Sequence, residues 1–196
     1  PDAAGIELNL ECPDRGRRGE PIGLDVEASE VATVAARAAT DLPLIVKLSG
    51  AAPDIRSVAR AVVAAGADVI SLSGSTRGLA LGDDRERPLL GSSYGWLSGP
   101  AVKPTGLRLV YEVAQVVKVP VIGAGGVGSL DDVLDYLAAG ASAVGIATAV
   151  LADPALPGRL GRELHEWGEA NAVGVLRDVI GRALPRRRDR GSLRSR

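Results

Sequence analysis

Short apolar runs alternate along this chain with segments of helical periodicity. The runs Ile6 to Leu10, Leu44 to Ser49, Val69 to Gly74, Val119 to Gly123 and Ala143 to Ala149 predict strands. Between and after them, Val26 to Thr40, Asp54 to Ala65, Thr105 to Val117, Leu130 to Ala139, Gly158 to Glu169 and Val173 to Ile180 predict helices. Asp54 is placed to cap its helix and Gly66 to end it. In the first helix the spacing sets Val31, Val34 and Ala35 on the apolar face. Ser75 to Pro104 has little periodicity, and a loop of that length inside a domain is usually functional or disordered. The end, Pro185 to Arg196, carries six arginines and few apolar residues, so it is expected to be a basic, disordered tail beyond a domain of residues 1–184.

Strand–helix alternation five times over is the mark of a parallel α/β fold. Two topologies compete, a doubly wound open sheet and part of a (β/α)8 TIM barrel. Eight strands and about 250 residues close a barrel, so five strands here would be its last five β/α units. A phosphate site after the seventh and eighth strands recurs in barrels, and the glycines here follow the penultimate run. That placement favours the barrel.

The glycine stretch is V-P-V-I-G-A-G-G-V, Val119 to Val127, leading into Ser129-Leu130-Asp131-Asp132 at a helix start. A strand that empties into glycines before a helix presents bare backbone N–H groups to an anion. The other reading is a tight turn that needs positive φ. Gly123, Gly125 and Gly128 also satisfy G-x-G-x-x-G, but the next strand ends in Thr148-Ala149 without the carboxylate that holds a ribose. The phosphate reading stands and the dinucleotide reading falls.

Composition narrows the class. With 196 residues and 46% hydrophobic content the chain can bury one real core. Its net charge of −1 gives no electrostatic case for nucleic acid. No apolar run approaches the roughly 18 residues of a membrane span. A single cysteine forms no internal disulfide and suits a reducing cytoplasm, the expected location. Phe and Met are absent, so the core must be built from Val, Leu, Ile and Ala, and a chain that starts Pro1-Asp2 reads as a piece of something longer.

In a parallel sheet, functional groups gather at the carboxyl ends of the strands. Those ends offer Asn9 and Cys12, Lys47, Ser73 to Ser75, the glycines, and Thr148. Cys12 lies near Arg15, Arg17 and Arg18, whose charge favours a thiolate base or nucleophile; a small buried hydrophobe is the alternative. Lys47 sits in an otherwise apolar strand, where an ammonium needs an anion or a carbonyl, or must snorkel to the rim. His165 reads as a surface residue and Lys103 as a helix start, while Tyr94 and Trp96 could cover a site or simply pack.

These residues resemble the dihydroorotate dehydrogenases, flavin mononucleotide (FMN) enzymes on a (β/α)8 barrel. The similarity spans about Ile6 to Pro154 and rests on E-L-N-L-E-C-P at 7–13, P-L-I-V-K-L-S at 43–49, A-A-G-A-D at 64–68, L-S-G-P-A-V-K-P at 97–104, V-I-G-A-G-G-V at 121–127 and A-G-A-S-A-V-G-I-A-T-A at 139–149. The resemblance implies oxidation of dihydroorotate to orotate in pyrimidine biosynthesis. Cys12 matches the base that removes the C5 proton while hydride leaves C6 for the flavin. Asn9 matches an asparagine touching flavin and pyrimidine, and Asp14 stands where a second asparagine holds the substrate. Lys47, Ser75 and Gly99 match flavin contacts, and Gly125, Gly126, Ala147 and Thr148 match the phosphate site. The implied partners are a pyrimidine-like small molecule, a second copy in a homodimer, and a flavin/iron–sulfur subunit that passes electrons to NAD; fumarate is the other acceptor class. Asp14 and Gly74 both replace asparagines, so two amide donors are lost and another dihydropyrimidine stays open as substrate. The strands that precede these in the family are absent here, which predicts weak flavin binding by this piece alone. A non-flavin barrel enzyme acting on a phosphorylated substrate and a non-catalytic remnant are the competing readings.

Overall fold

The structure, a computed structural model, describes residues 3–12, 16 and 19–185. Asp14 and the arginines of the tail lie outside these. Five parallel strands, β1 (Ile6–Asn9), β2 (Leu44–Leu48), β3 (Val69–Ser73), β6 (Val121–Ala124) and β7 (Ala143–Gly145), form one sheet in the order β1-β2-β3-β6-β7. The helices are α1 (Val26–Ala38), α2 (Ile55–Ala64), α3 (Lys103–Ala114), α4 (Leu130–Ala139) and α5 (Leu156–Ala170). The strand order follows the chain without reversal, and each helix packs on the next, α1 on α2 through α4 on α5. A doubly wound sheet reverses its order and carries helices on both faces. The arrangement here is the wall of a (β/α)8 barrel, with helices outside and the strands' other face turned to the lumen.

Alternation along the strands makes the two faces. Leu44, Val46, Leu48, Ile70, Leu72 and Val121 are buried against the helices, where Val58, Val62, Leu109, Val110, Val113 and Tyr136 meet them. The register aligns Asn9 with Lys47, Lys47 with Ser71, and Ser71 with Ile122, so these share the lumen face. Lys47, Ser71 and Ser73 are only half-buried there. Apolar side chains thus build the helix-side core, and polar ones are left for the lumen.

Local chemistry fixes the helix ends. Asp54 accepts from the N–H groups of Arg56 and Ser57, and Gly66, at φ +105°, follows the end of α2, as the sequence predicts. Ser129 and Asp132 form a reciprocal capping box at α4, whose other end is closed by Gly140 at φ +113°.

Three sequence expectations are corrected. In α1, Val31 and Val34 are 63% and 52% exposed, while Ser29 and Thr33 are fully buried. The hydroxyls of Ser29 and Thr33 are satisfied within the helix, donating to the carbonyls of Asp25 and Ser29, so small polar residues can occupy the packed face. The stretch after Ser75 contains an antiparallel hairpin of β4 (Thr76–Gly78) and β5 (Gly95–Leu97), whose strands are too short to register as a pattern. Between Val173 and Ile180 there is only a 3-10 turn over Leu176–Asp178, preceded by Ala172 in the left-handed region and Gly174.

Candidate active site

A cavity of about 350 Å³ opens on the lumen face at the carboxyl ends of the strands. Lys47, Ser75, Gly99, Gly125, Gly126, Ala147 and Thr148, every cofactor contact expected from the sequence, line it. That volume is in the range of small-molecule sites. Glu7, Ser71 and Ser73 add polar atoms, and Pro100 and Val102 an apolar wall.

The glycine turn is a left-handed turn at the edge of the cavity. Gly125 and Gly126 have φ of +111° and +71°, so the turn does need left-handed residues. It also borders the cavity, as do Ala147 and Thr148 after the neighbouring strand β7, where a 3-10 turn over Thr148–Leu151 begins. Gly123, by contrast, serves packing. A Cβ there would stand 2.5 Å from the Tyr136 ring, and one on Gly106 would meet the Tyr136 hydroxyl. The two glycines leave the slot that Tyr136 fills. From it the Tyr136 hydroxyl donates to the carbonyls of Gly125 at 2.8 Å and Ala124 at 3.0 Å, bracing the turn from behind. Burial pushes its phenol up to about 12.

A second brace comes from Lys103, which begins α3 as expected. Its ammonium meets Asp132 and, at 2.7 Å, Asp135. Burial works against the charge, but the two carboxylates outweigh it and hold Lys103 above the ordinary lysine range. Asp132 lies below the usual carboxylate range: burial raises it, and hydrogen bonds from Lys103, the Gly128 N–H and Ser129 lower it further. The Lys103–Asp132 contact ties α3 to the start of α4 just behind the glycine turn.

On the β1 side, the Asn9 side-chain amide donates to the Cys12 sulfur at 3.2 Å, and Cys12 is exposed. The buried alternative for this thiol is thereby overturned. Asn9 and Cys12 are not among the residues that line the main cavity. Lys47 is satisfied by a residue the sequence did not single out. Glu11 is 7% exposed, and its carboxylate lies 3.0 Å from the Lys47 ammonium and accepts from Ser73 at 3.3 Å. The only available signal was a carboxylate inside E-L-N-L-E-C-P, beside apolar Leu10.

Gly74 closes off one expected substrate contact. A Cβ there would stand 2.4 Å from the Val102 carbonyl oxygen and 2.7 Å from the Gly106 nitrogen. No side chain fits between β3 and α3 at this point. Trp96, 44% exposed, lines a second and smaller cavity of about 210 Å³ with Arg77, Ser75 and Thr105. His165 is exposed beside Glu169, in keeping with a surface role. Among the described residues no group of His, Cys, Asp and Glu is arranged to hold a metal ion, and no helix is long and apolar enough to cross a membrane.

Comparison with known proteins agrees with this architecture. The dihydroorotate dehydrogenase family model matches residues 1–167. The catalytic subunits of dihydroorotate dehydrogenase B (NAD(+)) from Geotalea uraniireducens and Geobacter sulfurreducens are 40% and 41% identical over 181 residues, 92% of this chain and 59% of theirs. A Solibacter usitatus protein provisionally described as dihydroorotate dehydrogenase A (fumarate) is 42% identical over 91% of this chain and 59% of its own. The solved structure of the Eimeria tenella enzyme DHODH in complex with ferulenol superposes with a TM-score of 0.71 at 21% identity, over 92% of this chain and 54% of that one, and supports the fold. The chain therefore spans about three fifths of the length of its curated relatives. Five parallel strands with helices on one face, a lumen cavity at their carboxyl ends and this extent of sequence identity lead to one conclusion: the chain belongs to the dihydroorotate dehydrogenase family.

Proposed function

We propose that this chain is the FMN-holding part of a flavin oxidoreductase that oxidises dihydroorotate to orotate. The observation that carries the reading is the convergence of Lys47, Ser75, Gly99, Gly125, Gly126, Ala147 and Thr148 on one cavity. The donor set fits the cofactor. The left-handed Gly125-Gly126 turn presents backbone rather than side chain to a phosphate, with Ala147 and Thr148 from the end of the adjacent strand lining the same cavity. Gly99, also left-handed, has open space where a Cβ would stand, so its backbone leaves room for a flat ring. Lys47 supplies a cation from the floor.

FMN, when bound, supplies the hydride acceptor. The rest of the work belongs to this chain. Cys12 removes the substrate's C5 proton as the C6 hydride departs, which leaves the C5–C6 double bond of the product. The Asn9 amide, 3.2 Å from that sulfur, orients it. Asp14, by the family resemblance alone, would contact the substrate. Electrons then leave to a flavin/iron–sulfur partner subunit, in line with the B-type names of several relatives. A homodimer in a cytoplasmic setting completes the proposal.

Gly74 favours a second reading of the substrate. Because no side chain fits there, an asparagine donor is missing from the pocket, and a dihydropyrimidine without a carboxylate becomes the competing substrate. The experiment is anaerobic reduction of the full-length protein by dihydroorotate and by dihydrouracil, with Cys12→Ser alongside. Bleaching of bound flavin by dihydroorotate, lost in Cys12→Ser, is expected. Bleaching by dihydrouracil alone would establish the second reading, and full turnover by the Cys12→Ser variant would remove Cys12 from its role.

A further inference from the structure

Glu11 is a buried carboxylate that no expected role accounts for. One of its oxygens meets the Lys47 ammonium at 3.0 Å and the Ser73 hydroxyl at 3.3 Å. The other, Oε1, is buried with no hydrogen-bond partner. Its backbone N–H donates to the Asn9 side chain at 3.0 Å, so the same residue joins the Cys12–Asn9 pair to the cation of the cavity. Lys47 and Ser73 line the cavity and Glu11 does not, so Glu11 reaches a ligand through its hold on these two and through its charge. A buried carboxylate is costly unless its charge is paired, and here the pairing is with the Lys47 ammonium.

We propose that Glu11 is a positioning and charge-balancing residue for Lys47. It fixes the ammonium at the cavity floor and offsets its positive charge, so that the reduction potential of a bound flavin is set by the Glu11–Lys47 pair. This rests on the flavin reading above. A lone cation beside the flavin stabilises the extra negative charge of the reduced ring and raises its potential. A carboxylate 3.0 Å from that cation lowers the potential again. The same offset weakens the attraction of Lys47 for an anionic ligand and keeps the site from being locked in the reduced form.

The test uses the full-length, FMN-loaded protein titrated reductively against a reference dye, with Glu11→Gln, Glu11→Asp, Lys47→Gln and the Glu11→Gln/Lys47→Gln double variant. Glu11→Gln should shift the oxidised-to-reduced ratio at least about tenfold toward reduced, which is about 30 mV upward for a two-electron couple. Glu11→Asp, which keeps the charge, should stay near wild type. In the Lys47→Gln background, Glu11→Gln should move the potential less than it does in wild type, because there is no ammonium left to position. If Glu11→Gln fails to retain flavin, Glu11→Ser is titrated in its place and read the same way. A flavin-loaded Glu11 variant whose potential is unmoved, with only its melting temperature lowered, overturns this inference and leaves the flavin reading intact. A wild-type protein that takes up no flavin overturns both.

Discussion

Replacing Tyr136 by Phe removes one oxygen from the back of the glycine turn and leaves the ring in its slot between Gly106 and Gly123. The hydroxyl has a single proton, shared between the Gly125 carbonyl at 2.8 Å and the Ala124 carbonyl at 3.0 Å. Ala124 keeps a second donor, the Gly74 N–H at 3.2 Å. Gly125 has no second protein donor among the described residues, so the substitution leaves one half-buried acceptor unpaired. Such a loss costs about 1–3 kcal/mol. For a chain of this size the middle of that range lowers Tm by roughly 4–8 °C. The alkaline limb adds an independent check. The folded-state value of Tyr136, about 12, stands above the ordinary 10, so its contribution is complete below pH 10 and is lost as pH rises toward 12. The stability gap between wild type and Tyr136→Phe should therefore begin to narrow as pH rises above 10. Circular-dichroism melts and urea titrations between pH 7 and 11 measure both effects. Equal melting temperatures and a pH-independent gap would refute the idea that Tyr136 braces the turn.

Gly74→Asn, which restores the amide expected by resemblance, should destabilise the chain by about 1–3 kcal/mol or more because its Cβ would stand 2.4 Å from the Val102 carbonyl; an unchanged urea midpoint would show that β3 and α3 can part. Asp132→Asn should lose about 1 kcal/mol of capping at neutral pH. Because the carboxyl of Asp132 is held below its unfolded value of 3.8, its contribution is present above that pH and lost as pH falls through the folded value, so acid titration should show a flatter limb in the variant. Residues 1–196 alone should bind FMN weakly, since β1 and β7 are both open edges of the sheet; stoichiometric yellow protein would contradict this.

Much of the fold was legible because β2, β3 and β6 are short, predominantly apolar runs between helical segments. Gly125-Gly126 was legible because only glycine takes left-handed backbone without strain. The phase of α1 was not: Ser29 and Thr33 hide their hydroxyls on helix carbonyls, and the residues that look apolar, Val31 and Val34, face outward. The hairpin was missed because β4 and β5 have three residues each, too few for alternation to show. Glu11 and Tyr136 were missed for a different reason. Each gains its meaning from partners far along the chain: Lys47 and Ser73 for Glu11, Gly106 and Gly125 for Tyr136. Local pattern cannot supply such partners. The site residues that resemblance supplied converge on one cavity, except Asn9 and Cys12 beside it and Asp14 outside the described residues.

The central claim is that the Gly125-Gly126 turn, with Ala147 and Thr148, holds the phosphate of a flavin. The direct measurement is the affinity of the full-length apoprotein for FMN against riboflavin, which has the same ring and no phosphate, by fluorescence quenching. Two charge-assisted hydrogen bonds to the phosphate are worth at least about 3 kcal/mol, so FMN should bind at least about 100-fold more tightly, and Gly126→Ala should erase most of that preference. Equal affinities for the two flavins would contradict the account.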